Sequence, residues 1–290
     1  MPVRVVESKD NARLKELRKA LAAAGRSALG RVGIEGPHLL EEALRAGLRV
    51  KTIFVTQDGE RLLHALPMPP ETEILRLPAK LLHSALATET PQPIAALVEP
   101  FDWIWRDLLE PDDGRKPLLL VLAGLQDPGN LGTILRSAEA FGATGVVSLP
   151  GTVSAWNPKA VRASAGSVFR VPLLAVSEHE CLKVLHDAGV KILATTVHTA
   201  QPADQADLSG PVALIIGNEG NGVANDLAAQ ADARITIPCF GPVESLNAAV
   251  AASVLLYEAA RQRALRVNDP DGKPQHSSKS LPHAVGGARR

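Results

Sequence analysis

The sequence predicts a two-part α/β protein, a smaller mixed domain followed by a larger one built on a mostly parallel sheet. Three observations predict it. At 290 residues the chain is long for one small domain and natural for two. From Pro117 onward, short apolar runs alternate with helical stripes, as β-α-β units require. The turn-rich run Glu110-Pro-Asp-Asp-Gly-Arg-Lys-Pro117 separates that pattern from a different one before it. The expected division is residues 1–98 for the first domain, 99–116 for a linker, 117–265 for the second domain and 266–290 for a disordered tail.

In the first domain, Asp10 to Ala24 places Leu14, Leu17, Ala20 and Leu21 on one helical stripe with basic residues between them. Arg31 to Glu35 reads as a short strand, and Pro37 to Ala46 as a helix opened by proline and stopped by Gly47. Val50 to Val55 is a strand, and Arg76 to Val98 adds a helix and a final apolar strand. In the linker, Trp103 and Trp105 read as a hydrophobic anchor, with a nucleobase-stacking platform as the alternative. Strands then follow at Leu118–Ala123, Gly145–Leu149, Val171–Val176, Lys191–Thr196, Val212–Gly217 and Arg234–Pro238. Helices fall at Leu131–Phe141, Glu178–Ala188 and Ser245–Arg263. After Arg266 the sequence is breaker-rich and without periodicity.

Composition excludes several classes of function. Hydrophobic residues make up 46% and charged residues 21%, enough for ordinary cores. No run approaches the roughly 18 apolar residues of a membrane helix, and the charged first ten residues do not resemble a signal peptide. A soluble cytoplasmic protein is the expectation. Two cysteines, Cys181 and Cys239, make neither a disulfide framework nor a zinc site. His179 and Cys181 stand at i, i+2 on a helix, on the wrong faces to share a metal. No H-x-x-x-H, H-E-x-x-H or G-x-S-x-G pattern occurs, which argues against a metal or triad hydrolase. Net charge is zero but unevenly spread. Residues 1–31 hold eight Lys/Arg against three acids and residues 261–290 seven against two, each end +5, leaving −10 for the middle. Such asymmetry fits nucleic acid docked at a local patch, or equally a solvated helix face and a loose tail.

Parallel sheets bind ligands beyond the carboxyl ends of their strands, and three loops there are unusual. The first is Gln126-Asp-Pro-Gly-Asn-Leu-Gly-Thr-Ile-Leu-Arg136, in which Asn130 is placed to cap a helix beginning at Leu131. Arg136 falls off the apolar stripe of that helix, close to the loop. The second, Gly217-Asn-Glu-Gly-Asn-Gly222, has three glycines that let backbone approach a ligand, and Glu219 is its one charge. It is neither a dinucleotide-binding fingerprint nor a P-loop. The third, Pro238 to Asn247, ends with Ser245 as a plausible helix cap, followed by a small-residue surface at Ala248, Ala249, Ala251, Ala252 and Ser253.

Together these loops resemble the three signature motifs of the SpoU/TrmH branch of the SPOUT methyltransferases. The first motif matches at Asn130, Gly132 and Arg136, and the second at Gly217, Glu219 and Gly222. The third matches at Ile237, Pro238, Gly241, Ser245, Leu246 and Asn247. The intervening segment from Asn157 to Ser167 is also similar to the family. The first domain resembles the family's substrate-binding module at Glu35-Gly-Pro-His-Leu-Leu-Glu-Glu-Ala-Leu44 and Thr90-Pro-Gln-Pro-Ile-Ala95. Departures occur at Pro93, where the family usually has glycine, and at Ala248-Ala249, where valine and serine are common.

The resemblance implies a sheet whose C-terminal segment threads a loop to form a trefoil knot, an exception to the rule against threaded connections. It implies an S-adenosylmethionine-dependent enzyme that methylates a ribose 2′-hydroxyl of RNA, rRNA ahead of tRNA, and a homodimer. The alternative is a non-catalytic RNA-binding or ribosome-assembly protein on the same fold. Gly217, Ile237 and Leu246 would hold the adenosine part of the cofactor. Asn130, Arg136, Glu219, Ser245 and Asn247 would form the catalytic group, with Arg13, Arg31, Lys159 and Arg162 on RNA. Because arginine stays protonated, Arg136 is expected to grip a phosphate and stabilise a developing alkoxide.

Overall fold

The computed structural model describes residues 3–22, 26–86, 88–197, 200–242 and 245–268, without the side chains of 266–268. The first domain is a five-stranded sheet of β1 (Val3–Val5), β2 (Val32–Glu35), β3 (Arg49–Val55), β4 (Glu73–Arg76) and β5 (Ile94–Glu99). Its order is β1-β4-β3-β5-β2, with β1, β4 and β3 parallel and β5 antiparallel to β3 and β2. Helix α1 (Ala12–Ala20) buries Leu14, Leu17 and Ala20 with Phe54, Leu75 and Leu97 on one side of the sheet. Helix α2 (Pro37–Arg45) buries Leu39, Leu40 and Ala43 with Ile34 and Ile53 on the other. Short helices α3 (Glu60–Leu63) and α4 (Ala79–His83) join the strands. Strands β1 and β4 are absent from the sequence-based assignment, being too short to show a period-two pattern.

The second sheet has seven strands: β6 (Leu118–Leu122), β7 (Gly145–Ser148), β8 (Leu173–Ala175), β9 (Lys191–Thr195), β10 (Gln201–Pro202), β11 (Val212–Ile216) and β12 (Ala233–Thr236). All its pairings are parallel, in the order β10-β12-β9-β11-β6-β7-β8. The central strands β6 and β11 are buried along their whole length, which is why they read as unbroken apolar runs. Period-two alternation sorts their side chains between two layers. Leu118, Leu120, Leu122, Leu214 and Ile216 pack with α6 (Pro128–Ala140), α7 (Pro158–Ser164) and α10 (Ala248–Asn268). Leu119, Val121, Ala213 and Ile215 pack with α8 (Glu178–Asp187), α9 (Asn225–Ala229) and Leu108. The apolar cluster on the α6 side continues without a break into the α2 face of the first domain.

The segment expected as an open linker contains helix α5 (Trp105–Leu109), whose Leu108 is fully buried and whose Trp105 Nε1 donates to Glu180 Oε1 at 3.0 Å. The anchor reading of the tryptophans therefore describes Trp105. Helix α10 starts three residues later than expected and runs on to Asn268, so the first three residues assigned to the tail are helical. The rest of that tail, 269–290, lies outside the described residues. Arg263 ties the end of α10 to the second sheet, donating to the carbonyls of Leu208, Lys116, Pro117 and Gly210 at 3.2, 2.7, 2.8 and 2.6 Å. Burial and the nearby Arg115 charge push its pKa down. No helix among the described residues is long and apolar enough to cross a membrane.

Candidate active site

The three loops meet at the carboxyl end of the second sheet. Asp127 caps α6 by accepting from the Asn130 N–H at 2.9 Å, and Pro128 takes the first helical position, where its missing N–H leaves nothing unsatisfied. This corrects the expectation that Asn130 caps a helix beginning at Leu131. Asn130 instead lies in the first turn, and its side chain is left for another purpose. Its Nδ2 donates to Glu219 Oε1 at 3.0 Å, and its Oδ1 accepts from Asn247 Nδ2 at 3.1 Å. Asn247, not Ser245, caps α10: its Oδ1 accepts from the N–H groups of Ala249 and Val250 at 2.9 and 3.3 Å. Glu219 also accepts from the backbone N–H groups of Gln126 and Asp127 at 3.3 and 3.1 Å.

These bonds fix the orientation of both amides. Partial burial pushes the Glu219 carboxyl up, but the hydrogen bonds from Asn130, its own backbone, Asp127 and Gln126 outweigh it and hold the group below its ordinary 4.5. An ionised carboxylate only accepts, so Asn130 must turn its NH₂ to Glu219 and its oxygen to Asn247. Asn247 then has its own oxygen free for the helix N–H groups. One charge thus orders a relay through all three loops.

Beside the relay opens a cleft of about 670 Å³, within the range that holds small-molecule ligands. Gly217, Ile237 and Leu246 all line it, together with Ser245, Ala248, Ala251 and Leu255. Glycine is required at 217, because a Cβ there would stand 2.1 Å from the Gly222 carbonyl carbon. The Asn218–Gly222 bridge closes this turn, and Asn218 braces it by donating to the Gly124 carbonyl at 2.8 Å and accepting from Gly220 N–H at 2.8 Å. In the sequence Asn218 reads as one more turn residue, and nothing there signals this bracing. The small residues of α10 let the helix sit against the cleft, and the apolar side chains of Ile216, Ile237, Leu246 and Leu255 suit a flat purine-like group. Apolar side chains beside neutral polar ones such as Thr195, Asn221 and Ser245, with few charges, fit an adenosine cofactor. Cys239 also lines the cleft, and the next residue, Phe240, is 99% exposed. Val243 and Glu244 of the third loop lie outside the described residues.

The basic residues divide sharply. Arg136 is exposed on α6, nearly two turns from Asn130 rather than close to the loop, and has no hydrogen bond or ion pair among the described residues. Arg162 on α7 is likewise exposed and unpaired among them, while Lys159 lies 3.5 Å from Asp127 Oδ2 and remains mostly exposed. Gly132 is where α6 crosses α7: a Cβ there would lie 2.5 Å from Ala163 Cβ, so its place in the first motif is a packing one. In the first domain Arg31 is 14% exposed, pairs with Glu16 at 3.3 Å and lies 3.7 Å from Glu99. Arg13 is bound to Glu73 at 3.2 Å and Glu16 at 3.4 Å. Arg31, expected from the sequence to contact RNA, thus sits among the carboxylates of its own domain. Arg13 keeps part of its side chain exposed but is likewise paired.

The first-domain motifs hold their own loops in place. Buried Glu35 accepts from Thr88 Oγ1 at 2.7 Å and from Gln92 N–H at 3.0 Å, fastening the second motif to the first. Pro93, the departure from the family pattern, has its carbonyl 2.7 Å and its Cβ 3.1 Å from where a Gly59 Cβ would stand, so the pair pack against each other. Among the described residues no cluster of His, Cys, Asp or Glu could hold a metal.

Comparison with known proteins agrees with this geometry. The SpoU rRNA Methylase family model matches residues 117–257, and an MRM3-like substrate binding domain model matches residues 11–96. The chain is 35% identical over 254 residues to the 23S rRNA (guanosine(2553)-2′-O)-methyltransferase RlmP of Bacillus subtilis, covering 87% of this chain and 97% of that one. It resembles the SpoU methyltransferase AviRb from Streptomyces viridochromogenes in complex with AdoMet, with TM-score 0.77, 29% identity and coverage of 88% and 98%. It also resembles the AdoMet-bound rRNA methyltransferase from Sinorhizobium meliloti, with TM-score 0.77, 29% identity and coverage of 89% and 98%. With both domains matched and three loops joined at the carboxyl end of a parallel sheet, the chain belongs to the SpoU rRNA methylase family.

Proposed function

We propose that this chain is an S-adenosylmethionine-dependent RNA 2′-O-methyltransferase acting on rRNA in preference to tRNA, in the cytoplasm. The observation that carries the reading is the Glu219–Asn130–Asn247 relay bordering the cleft, with Arg136 unpaired on the same helix as Asn130. A chain that only bound RNA would have no use for a charge-ordered relay beside a small-molecule cleft. Its relatives RlmP, AviRb and the Sinorhizobium enzyme support the cofactor and substrate class.

The cofactor would supply an electrophilic methyl on a sulfonium sulfur. Gly217, Ile237 and Leu246 hold its adenosine portion through backbone and apolar contact, and Asn130, Ser245 and Asn247 orient the sugar hydroxyl beside it. That hydroxyl is a poor nucleophile at neutral pH, so alignment and charge stabilisation must supply the rate. The Arg136 guanidinium carries donors and no acceptor, so it grips the neighbouring phosphate and stabilises the developing alkoxide while phosphate or water takes the proton. Lys159 and Arg162, exposed on the helix packed against α6, hold RNA phosphates.

Arg136 lies six residues from Asn130, about 9 Å along the axis at 1.5 Å per residue and a third of a turn round it. A site completed by a second copy accommodates that separation. Val250, Val254 and Tyr257 form an exposed apolar stripe on α10, the helix packed against α6 through Ser137–Ser253 at 2.7 Å. Pairing two such stripes forms the homodimer and carries Arg136 of each copy to the cleft of the other. The same reading includes the trefoil knot: the tight 217–222 turn and the small face of α10 supply the space that crossing backbones need.

The test is transfer from labelled S-adenosylmethionine to unmodified rRNA and tRNA separately, then alkaline hydrolysis. Labelled alkali-resistant dinucleotides from rRNA are the expected result, because a 2′-O-methyl blocks cleavage at its 3′ phosphate. Label in mononucleotides means base methylation and overturns the ribose assignment. Absence of label from both RNAs, with cofactor bound, favours the non-catalytic binder.

A further inference from the structure

We propose that Arg170 is a positioning residue, clamping the first domain to the helix that carries Arg136 and so setting where bound RNA meets the cleft. The inference rests on the RNA-methylating reading above. Arg170 follows the short 3₁₀ turn Ser167–Phe169. Its Nη1 donates to Glu42 Oε2 at 2.7 Å, and its Nε and Nη2 both donate to the Glu139 carboxylate, the latter at 3.1 Å. Glu42 belongs to α2 of the first domain, and its side chain is 8% exposed. Glu139 belongs to α6, three residues beyond Arg136. One planar guanidinium therefore spans two carboxylates on two domains, which the point charge of a lysine does not reproduce.

The backbone beneath is shaped for this contact. Gly166 has φ +94°, and a Cβ there would lie 2.7 Å from Glu42 Cβ, so α2 rests directly on the turn. The preceding Ala165 also adopts a left-handed φ of 49°, a conformation that persists in a non-glycine residue where the surroundings impose it. A second contact joins the same two domains, with the Arg26 guanidinium 5.4 Å over the Trp156 ring. The continuous apolar core would hold the domains together without specifying their rotation, because apolar attraction is non-directional. The forked ion pair adds direction. It ties the domain that resembles a substrate-binding module to the helix whose arginine is assigned to the substrate phosphate.

Arg170→Ala is expected to raise the KM for rRNA about tenfold while kcat and S-adenosylmethionine affinity stay near wild type. Arg170→Lys should fall between, and Glu42→Gln should repeat the KM rise while leaving the arginine itself in place. Unchanged KM in a folded Arg170→Ala protein overturns the proposal, as does a fall in kcat and cofactor affinity at constant KM. An RNA-free readout separates this from failure of the functional reading. Spin labels at Arg49→Cys and His179→Cys, in a Cys239→Ser background, report the spacing between the domains. Broadening in Arg170→Ala, partly restored by Arg170→Lys, is expected. A distribution identical to that of the unsubstituted Arg170 protein overturns the clamp, whether or not either RNA is methylated.

Discussion

In the first domain Arg13 and Arg31 are held by Glu16, Glu73 and Glu99, whereas on α6 and α7 Arg136 and Arg162 point to solvent with no partner among the described residues. Arg13, Arg136 and Arg162 lie on helices and Arg31 just before β2, and the sequence alone suggests RNA or catalysis for each. For Arg31 the difference lies in burial, and for Arg13, 42% exposed, in the Glu16 and Glu73 carboxylates beside it. A guanidinium that loses water must be paired, and once paired it is framework. One left in water keeps its donors available for a phosphate. Charge content therefore says little about ligand binding until the carboxylates opposite each cation are known.

The largest effect expected from this comparison is at Arg136. Removing it as Arg136→Ala should lower methyl transfer by about 10² to 10³, the range for losing one preorganised oxyanion donor, with cofactor affinity intact. Arg136→Lys should recover little, because lysine lacks the fork that takes two phosphate oxygens. Near-normal turnover in the lysine variant speaks against the bidentate grip.

A smaller pair of effects sets the two regions directly against each other. Arg31→Ala should cost about 2 kcal/mol of unfolding free energy, since it strips a partner from Glu16 on α1, and should leave RNA affinity unchanged. Arg162→Ala should leave the melting temperature alone, weaken RNA binding, and reduce the slope of log affinity against log salt by about 1. The comparison breaks if the two variants exchange phenotypes. Denaturant titration and RNA binding at several salt concentrations read both.

The same physics explains what is legible in the sequence. Leu118–Leu122 and Val212–Ile216 are buried on both faces, so their apolar runs announce parallel strands within a residue of their true ends. Strands β1, β4 and β10, of three, four and two residues, are defined by their neighbours and carry no pattern of their own. The three loops are readable as a site because the spacing of glycine, asparagine and glutamate is itself the constraint. Helix caps are not: Asn130 and Ser245 look suited to capping, yet Asp127 and Asn247 do it, a choice settled by where each helix begins in three dimensions. Asn130 and Asn247 share a motif set in the sequence, but the bond that orients them spans 117 residues and belongs to tertiary structure alone.

The smallest effect concerns the two thiols, which repeat the contrast between buried and exposed groups within the second domain. Cys181 is buried on α8, and burial, with the Glu180 and Glu178 charges, pushes its pKa up to about 12. Cys239 is exposed, with Sγ 3.6 Å from the Ile237 carbonyl on the wall of the cleft. The thiolate is the reactive form, so a thiol reagent near pH 8 should modify one cysteine in the native protein, Cys239, and a second only after unfolding. S-adenosylhomocysteine bound in the cleft should slow the first reaction, by about tenfold at ten times its Kd if bound protein is fully shielded. Protection at Cys239 with native Cys181 silent places the ligand against Ile237 and Leu246. Modification that proceeds at the same rate under saturating ligand would move the cofactor away from this wall, and the relay would then need another explanation.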